Sequence, residues 1–225
     1  MDLIVSLPKN DIEMAKAAVE GGAAALKVHM NVSHAASGTG FGTYAEEAET
    51  VRGIIDAVDI PVGLMPGADI AELPEPKELL ALADAGLDFL DIYAGHMPLW
   101  FLDLPLKLIP AFSSLEGDWE VFRAAGYMNL VPGGPSRIEM VEASVCPKDQ
   151  YGQPFNYHDF SVLRALRDYI DTPLLVPTQK AITPEEGRRI IDAGIGSLMI
   201  GAIVTGTTAE SIGEATALYR KVLSQ

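Results

Sequence analysis

The sequence predicts an α/β fold, a (β/α)8 TIM barrel formed by residues 1–225 as a single domain. Short apolar runs of strand length alternate with amphipathic helical segments along the whole chain, and this order favours parallel pairing. The runs are almost unbroken, as expected for parallel strands covered on both faces. About eight such units fit within one domain length, which is typical of a barrel. The alternative, an open doubly wound sheet, usually has fewer strands and a glycine-rich turn after the first, where this chain has Ser-Leu-Pro-Lys-Asn.

Each predicted strand is a short apolar run bounded by turn residues. The predicted strands cover residues 3–7, 24–30, 61–65, 89–93, 106–112, 140–145, 174–176 and 197–201. Residues 127–131 form a further apolar run that is compatible with a strand. No linker or low-complexity tract interrupts this order, so the sequence indicates no second domain.

The predicted helices begin at capping residues and fill the intervals between the strands. They cover residues 11–20, 44–57, 76–85, 119–125, 160–170 and 209–223, and one more begins at Thr183. Thr43 with Glu46 and Thr183 with Glu186 have the spacing of capping boxes, which satisfy free N–H groups at a helix start. Pro184 stands at the first helical position, where it needs no hydrogen-bond donor.

Composition and charge exclude several classes of function. With 16 basic and 31 acidic residues the net charge is −15, which disfavours nucleic acid and anionic membranes as partners. A local anion site remains compatible with this charge, because backbone N–H groups bind phosphate without basic side chains. The single cysteine, Cys146, excludes an internal disulfide framework and a zinc ribbon and is typical of a reducing compartment. No signal peptide or membrane span is recognisable, so we expect a cytoplasmic protein.

Charged residues inside predicted strands are the main candidates for catalysis, because buried charge is costly without a partner. Strand period two places Lys27 with His29 on one face, and likewise Asp91 with Tyr93 and Glu142 with Ser144. If these faces point inward, lysines and carboxylates form one buried network, in which Lys107 is the weakest member. Lys180 follows the seventh strand at the predicted mouth of the barrel. The predicted catalytic residues are Lys27, His29, Asp91, Glu142 and Lys180.

A glycine-rich polar loop over residues 31–43 is predicted near the same mouth. It is interpreted either as a substrate lid or as a flexible connector. The predicted lid or substrate-loop residues are Ser37, Gly38, Thr39, Gly40, His96 and Tyr151. His29, His34 and His96 lack dedicated ligand spacing, so no metal and no cofactor are predicted. Cys146 has no neighbouring histidine and is predicted to be a small buried hydrophobe rather than a nucleophile.

The last predicted strand ends in Gly201-Ala202 and leads toward a helix near residue 207 or 208. In barrels a phosphate often lies on the loops after strands seven and eight, at a short helix N-terminus. Gly201 has no Cβ, so the N–H groups of Ala202 and Ile203 can approach an anion closely. The predicted phosphate-binding residues are Gly201, Ala202, Ile203 and Thr178; tight packing of strand and helix is the structural alternative.

Residues 173–205 resemble the last quarter of the phosphate-binding (ribulose-phosphate-binding) TIM barrels. The matching pieces are Ile-Thr-Pro-Glu-Glu at 182–186, Ala-Gly at 193–194 and Leu-Met-Ile-Gly-Ala-Ile at 198–203. Those families usually carry a Gly-Gly pair at the end of strand seven, where this chain has Thr-Gln-Lys-Ala at 178–181. The Asp-x-Lys-x-x-Asp pattern of the decarboxylases and the His-x-Asp and Met-Asp-Gly patterns of the pentulose epimerases are missing. The resemblance therefore indicates the superfamily and no subfamily.

The resemblance and the charged strands together predict an enzyme that acts on a small phosphorylated carbonyl metabolite. Isomerisation or epimerisation through an enediolate is the first expectation. A carbon–carbon lyase, with Lys27 or Lys180 as a Schiff-base amine of lowered pKa, is the second. A non-catalytic ligand-binding barrel is the third, and geometry distinguishes it, because an enzyme needs its lysine and carboxylates at the same mouth as Gly201. A homodimer or higher homo-oligomer is expected, with Trp100 and Phe101 as an apolar wall or subunit contact.

Overall fold

A computed structural model describes residues 2–112 and 137–225 and shows a closed barrel of eight parallel strands. The described strands are β1 (Leu3–Ser6), β2 (Ala25–His29), β3 (Val32–His34), β4 (Thr39–Phe41), β5 (Val62–Met65), β6 (Phe89–Tyr93), β7 (Lys107–Phe112), β8 (Val141–Ala143), β9 (Leu174–Pro177) and β10 (Gly196–Ile200). The barrel strands follow each other in chain order from β1 and β2 through β5 to β10, and β10 pairs with β1. The predicted TIM-barrel fold is therefore confirmed.

A two-stranded antiparallel hairpin, β3 and β4, follows β2 at its carboxyl end. Residues 31–43 were predicted to be a loop, so the hairpin corrects that prediction. The N–H of Asn31 donates to the carbonyl of Gly42 at 2.8 Å and closes the base of the hairpin. Gly40 within the second strand, with Gly38 and Gly42 on either side of it, conceals the alternating pattern by which short strands are recognised.

Helices lie between the barrel strands and cover the outside of the barrel. They are α1 (Ile12–Glu20), α2 (Tyr44–Ala57), α3 (Pro76–Asp84), α4 (Tyr157–Tyr169), α5 (Pro184–Asp192), α6 (Ala202–Thr205) and α7 (Ala209–Leu223). The capping boxes at Thr43 and Thr183 are present as predicted. Helix α4 begins before residue 160 because the Asn156 side chain accepts from the N–H groups of His158 and Asp159. The predicted helix at 119–125 and the run at 127–131 lie outside the described residues.

No helix in the described ranges is long and apolar enough to cross a membrane. The longest, α7, closes the fold by packing on α1, so the chain's last helix lies against its first. Gly21 follows α1 at this contact, where an added Cβ would lie 2.7 Å from the backbone oxygen of Gly213. The close approach of the two helices therefore depends on a residue without a side chain.

An apolar layer fills the inside of the barrel, separately from the core between strands and helices. Its members are Ile4, Ala25, Phe89, Ile109, Met140, Leu175 and Met199. Because inward positions recur every second residue, the next inward residues along β1, β2, β6 and β8 are Ser6, Lys27, Asp91 and Glu142. The barrel thus changes from an apolar layer to a polar one toward the carboxyl ends of its strands.

Gly63 on β5 makes room for the Phe89 ring in this apolar layer, because an added Cβ would overlap that ring. We expect Gly63→Ala to lower the free energy of unfolding by about 1–3 kcal/mol through overpacking. The measurement is urea unfolding, with Gly40→Ala on β4 as the control, since a Cβ there meets nothing within 4 Å. Rescue of Gly63→Ala by Phe89→Leu is expected; equal stability of the Gly63 and Gly40 variants would contradict the packing argument.

Candidate active site at the carboxyl ends of the barrel strands

A cavity of about 200 Å³ opens at the carboxyl ends of the barrel strands, above the apolar layer. Its lining includes Lys27, Asp91 and Glu142 together with Gly201. These residues come from β2, β6, β8 and the end of β10, which are far apart in the sequence. The lysine and carboxylates therefore share one mouth with Gly201, as the enzyme interpretation requires.

Lys27 is the centre of a buried ion cluster. Its Nζ lies 2.9 Å from Oδ2 of Asp91 and 3.0 Å from Oε2 of Glu142, and these side chains are 7%, 1% and 6% exposed. Burial alone would lower the pKa of Lys27, but the charges of Asp91 and Glu142 outweigh it and raise the pKa above its usual range. Lys27 is therefore a cation at neutral pH and not a free amine.

The two carboxyl groups of this cluster have different surroundings. Glu142 accepts hydrogen bonds from Lys27 and from the Ser144 hydroxyl. Among the described residues no hydroxyl or amide donates to Asp91; its contacts are the ion pair of its Oδ2 with Nζ of Lys27 and a side-chain hydrogen bond with Glu142. Burial, and then the charge of Glu142, raise the pKa of Asp91 well above its usual value. Burial opposes ionisation of Glu142 as well, but Lys27 and the hydrogen bonds outweigh it and lower its pKa.

The imidazole rings of His29 and His34 lie against each other beside this cluster, tilted by 45°. Their ring centroids are 4.7 Å apart, and the ring centroid of Phe41, a residue of β4, is also 4.7 Å from that of His29. Burial lowers the pKa of His29 well below its usual value and that of His34 to about 4, and Lys27 adds to both shifts. Both rings are therefore neutral at pH 7. Nδ1 of His29 has no hydrogen-bond partner in the part of the chain that the structure describes.

The backbone of His29 is held by Asn10, which follows β1. Asn10 donates to the His29 carbonyl at 2.7 Å and accepts from its N–H at 3.1 Å. It also donates to Glu47 of α2, whose other carboxylate oxygen accepts from the N–H of Gly42. This network fixes the end of β2 and the base of the hairpin, and with them the direction of the His29 ring.

Thr178 and Gly201 lie side by side at another part of the cavity wall. The N–H of Gly201 donates to Oγ1 of Thr178 at 3.2 Å, so the chain itself uses this donor. A short helix that was not predicted, α6, begins directly after Gly201, and the predicted helix near 207 or 208 is α7, which begins after its cap Thr208. Gly201, Thr178 and Ile203 line the cavity, whereas Ala202 is not among the lining residues.

The hairpin contributes to the cavity through a different part than predicted. Its first strand and the following turn, residues 32–36, line the cavity. Ser37, Gly38, Thr39 and Gly40 lie beyond them and are not part of the lining. Ser37 contacts the site only through its hydroxyl, which is 2.8 Å from Nδ1 of His34. His96 and Tyr151, from the same predicted group, do line the cavity.

Lys180 lies outside the cavity, which corrects the prediction that it belongs to the catalytic group. Its Nζ donates to both carboxylate oxygens of Asp159 at 2.9 Å, next to Cys146 and Val176. It follows the strand end in a bend and turns toward α4, where Asp159 caps the helix start. Burial raises the pKa of the Cys146 thiol to about 11, which agrees with its interpretation as an unreactive group.

The positions of Lys107 and Phe101 in the fold correct two further predictions. Lys107 begins β7 below the apolar layer, so its side chain reaches solvent and lies 3.6 Å from Glu139 instead of joining the buried network. Phe101 is fully buried in the core and is not a subunit contact, while its neighbour Leu99 is exposed. No group of three or more metal-ligating side chains occurs within residues 2–112 and 137–225.

Sequence reasoning missed Gln179 as a site residue and left Ser144 without a role. Gln179 lines the cavity and donates from Nε2 to the Ser144 hydroxyl at 2.9 Å. Ser144 stands two residues after Glu142, and this spacing was a usable signal. Gln179 lies in the segment after β9 that was compared with the usual Gly-Gly pair of the phosphate-binding barrels, but that comparison does not show its contact with Ser144.

No family model matches the sequence, and no curated protein matches it at a significant level. Solved structures do match. Phosphoribosyl anthranilate isomerase from Thermotoga maritima has a TM-score of 0.69 at 18% identity, over 100% of this chain and 99% of that one. A thiamine phosphate pyrophosphorylase from Pyrococcus furiosus has a TM-score of 0.62 at 17% identity, over 99% and 95%. The fold predicted from the resemblance to phosphate-binding barrels is therefore confirmed.

Proposed function

We propose that this protein is an isomerase or epimerase that moves a proton in a small phosphorylated carbonyl metabolite through an enediolate. The observation that carries the proposal is the buried cluster of Asp91, Glu142 and Lys27 at the floor of the cavity. Environments that drive two carboxyl pKa values apart are typical of an acid and base pair. Glu142 is the ionised member and Asp91 the protonated one.

In the proposed reaction Glu142 removes the proton from the carbon next to the substrate carbonyl. Asp91 gives its proton to the carbonyl oxygen as the enediolate develops, so the enediolate is neutralised to an enediol and no net charge is created. The Lys27 cation, 2.9–3.0 Å from both carboxylates, stabilises negative charge that develops during the transfer. His29 is neutral and lines the cavity, and because its Nδ1 has no hydrogen-bond partner among the described residues it can carry a proton between neighbouring oxygens.

The proposed phosphate position is the wall formed by Thr178, Gly201 and Ile203. The exposed Lys148 also lines the cavity and supplies a cation at its edge. Two comparisons support a phosphorylated ligand, because the matching proteins are named for phosphorylated compounds. One matching isomerase is a complex with reduced 1-(o-carboxyphenylamino)-1-deoxyribulose 5-phosphate, at 18% identity and a TM-score of 0.65.

The geometry does not support a Schiff-base lyase. Lys27 has a raised pKa and is paired with two carboxylates, whereas the amine of such an enzyme needs a lowered pKa. Lys180 is paired with Asp159 outside the cavity. Homo-oligomerisation stays a proposal, supported by the dimeric phosphoribosylanthranilate isomerase among the matching structures.

Hydrogen exchange with solvent tests the proposed chemistry without knowledge of the final product. Wild-type protein is incubated in D2O with a panel of aldose and ketose phosphates and their unphosphorylated counterparts. We expect deuterium at the carbon next to the carbonyl of one phosphorylated compound, detected by NMR. Asp91→Asn and Glu142→Gln should each slow this exchange by about 10²–10⁴-fold, the usual range for acid–base groups.

The matched control is Glu139→Gln, an exposed glutamate at the opposite end of the barrel. It should leave the exchange rate unchanged. A compound that binds tightly but shows no exchange and no turnover would contradict the proposal and favour the non-catalytic barrel.

A further inference from the structure

A chain of hydrogen bonds ends on one of the two cavity carboxylates and not on the other. Nε2 of Gln179 donates to the Ser144 hydroxyl at 2.9 Å, and that hydroxyl donates to Oε1 of Glu142. The other carboxylate oxygen of Glu142 accepts from Lys27 at 3.0 Å. Asp91 accepts no hydrogen bond from a hydroxyl or amide within the described residues; it contacts Lys27 and shares a side-chain hydrogen bond with Glu142. The proposed proton transfer does not by itself explain why Gln179 and Ser144 stand there.

The direction of this chain is fixed by a backbone donor. The N–H of Cys146 lies 3.3 Å from Oε1 of Gln179, and an N–H can only donate. The amide oxygen of Gln179 therefore faces Cys146, and its NH2 group faces Ser144. A hydroxyl carries one hydrogen and two lone pairs. With Gln179 donating to it, Ser144 accepts there and directs its hydrogen to Glu142.

Charge balance requires the two carboxyl groups to share a proton. Lys27 supplies one positive charge to two carboxyl groups that are almost completely buried. Two buried anions against one cation leave one charge uncompensated, and taking up a proton removes that cost. Hydrogen bonds to the ionised form favour ionisation, and Glu142 receives one from Ser144 that Asp91 lacks, so the proton goes to Asp91.

We propose that Gln179 and Ser144 are positioning residues that hold the shared proton on Asp91 and keep Glu142 as the base. The consequence of this positioning for catalysis rests on the proposed function, but the location of the proton is a property of the substrate-free protein. The other titratable groups facing the pair are Lys27 and His29 on β2, His34 on the hairpin, Tyr93 on β6 and Tyr151. Tyr93 also interacts with Ser144, whose second lone pair can accept the Tyr93 hydroxyl hydrogen while Ser144 donates to Glu142.

Carboxyl NMR titration of the substrate-free protein tests this directly. Two samples are prepared, one with the side-chain carboxyl carbons of Asp labelled with 13C and one with those of Glu. In wild type we expect one Asp signal to titrate far above the others, and Asp91→Asn to remove it. Ser144→Ala should lower the midpoint of that signal and raise the midpoint of one Glu signal. A shift of about one to two pH units is expected, because a hydrogen bond to a charged group contributes roughly 1.5–3 kcal/mol.

Gln179→Leu should shift the Asp signal and the Glu signal in the same directions as Ser144→Ala does, but by less. Ser144 keeps its hydroxyl in this variant and loses only the hydrogen bond that orients its hydrogen toward Glu142. Ser144→Thr should restore the wild-type midpoints, which a merely structural role would not require. The control is Ser33→Ala, an exposed serine that lines the same cavity from β3. Circular dichroism and the melting temperature confirm that each variant is folded.

The outcomes separate this inference from the proposed function. Absence of a high Asp midpoint in wild type, or unchanged midpoints in both Ser144→Ala and Gln179→Leu, would overturn it. Shifted midpoints without hydrogen exchange on any substrate would uphold the inference and reject the enzyme. If the enzyme is active, Ser144→Ala should lower kcat more than it changes KM and should shift the acidic limb of the kcat/KM profile.

Discussion

Replacing Lys27 with methionine is expected to lower the free energy of unfolding by about 3–5 kcal/mol, the usual cost of removing one partner from a buried ion pair. Lys27 contacts both carboxylates at 2.9–3.0 Å, and its loss leaves them facing each other without a cation. At roughly 2–4 °C per kcal/mol for a chain of this length, the melting temperature should fall by about 6–20 °C. Urea unfolding and calorimetry measure both quantities.

Two controls separate charge from packing in this result. The triple variant Lys27→Met, Asp91→Asn, Glu142→Gln removes the charges together and should recover most of the loss, since uncharged replacements of buried ion clusters are often tolerated. Lys16→Met breaks an exposed pair with Glu13 and should change stability by less than about 1 kcal/mol. A triple variant as unstable as Lys27→Met alone would show that the aliphatic stem, not the charge, is what matters.

The difference in unfolding free energy between wild type and Lys27→Met should depend on pH in a definite direction. The pKa of Lys27 is raised in the folded protein, so its contribution is fully present below the unfolded value of about 10.4 and is lost as the pH rises through the folded value. Glu142 has a lowered pKa, so its contribution is present above about 4.3 and is lost as the pH falls. Asp91 has a raised pKa, so its contribution decreases as the pH rises above about 3.9. The stability difference between wild type and Lys27→Met should therefore decline in alkali.

The floor of the cavity was predictable from the sequence because it depends on local alternation. Lys27 on β2, Asp91 on β6 and Glu142 on β8 are each flanked by apolar residues, and each stands two residues from a member of the apolar layer inside the barrel. When a strand is buried on both faces, a charged side chain on it cannot reach solvent. It must point into the barrel interior or pair with an opposite charge. Once eight parallel strands are recognised, these residues must meet near the axis.

Residues beyond the strand ends could not be placed in the same way. Lys180 lies three residues after the end of β9, where the backbone bends and side chains no longer alternate between two faces. Its partner Asp159 belongs to helix α4. The contact of Gln179 with Ser144 joins positions 35 residues apart through side chains alone. Local sequence contains no signal for either pairing. The hairpin was missed for a different reason, because its glycines resemble those of a loop.

The protein is acidic overall, yet its cavity floor has no net charge when Asp91 is protonated. The net charge of −15 is therefore not carried by this cluster, in which Lys27 neutralises Glu142. Deprotonation of Asp91 would add an anion where an anionic substrate has to enter. Proton uptake by the carboxyl pair and binding of a phosphorylated compound should therefore favour each other.

Substituting Gly201 by aspartate is expected to weaken binding of a phosphorylated ligand at least 100-fold, which corresponds to about 2.7 kcal/mol. The backbone of Gly201 is extended, at φ −150° and ψ −169°, so any residue is allowed there. An added Cβ would lie 3.5 Å from Cβ of Ser6, an ordinary contact. The variant should therefore fold and place a carboxylate beside the proposed phosphate position, where like charges repel.

The measurement is a thermal-shift and calorimetry screen of sugar phosphates and other small anions on wild type and variant. Ligand stabilisation grows as RT ln(1 + [L]/Kd), so it should be present in wild type and lost in Gly201→Asp. Gly201→Asn is the matched control, because it has nearly the same shape without the charge and should lose much less affinity. Equal losses in both variants would indicate steric exclusion rather than charge. Equal losses for phosphorylated and unphosphorylated compounds, or no stabilisation by any anion, would contradict the phosphate assignment and leave an uncharged ligand held by Lys27, Asp91 and Glu142.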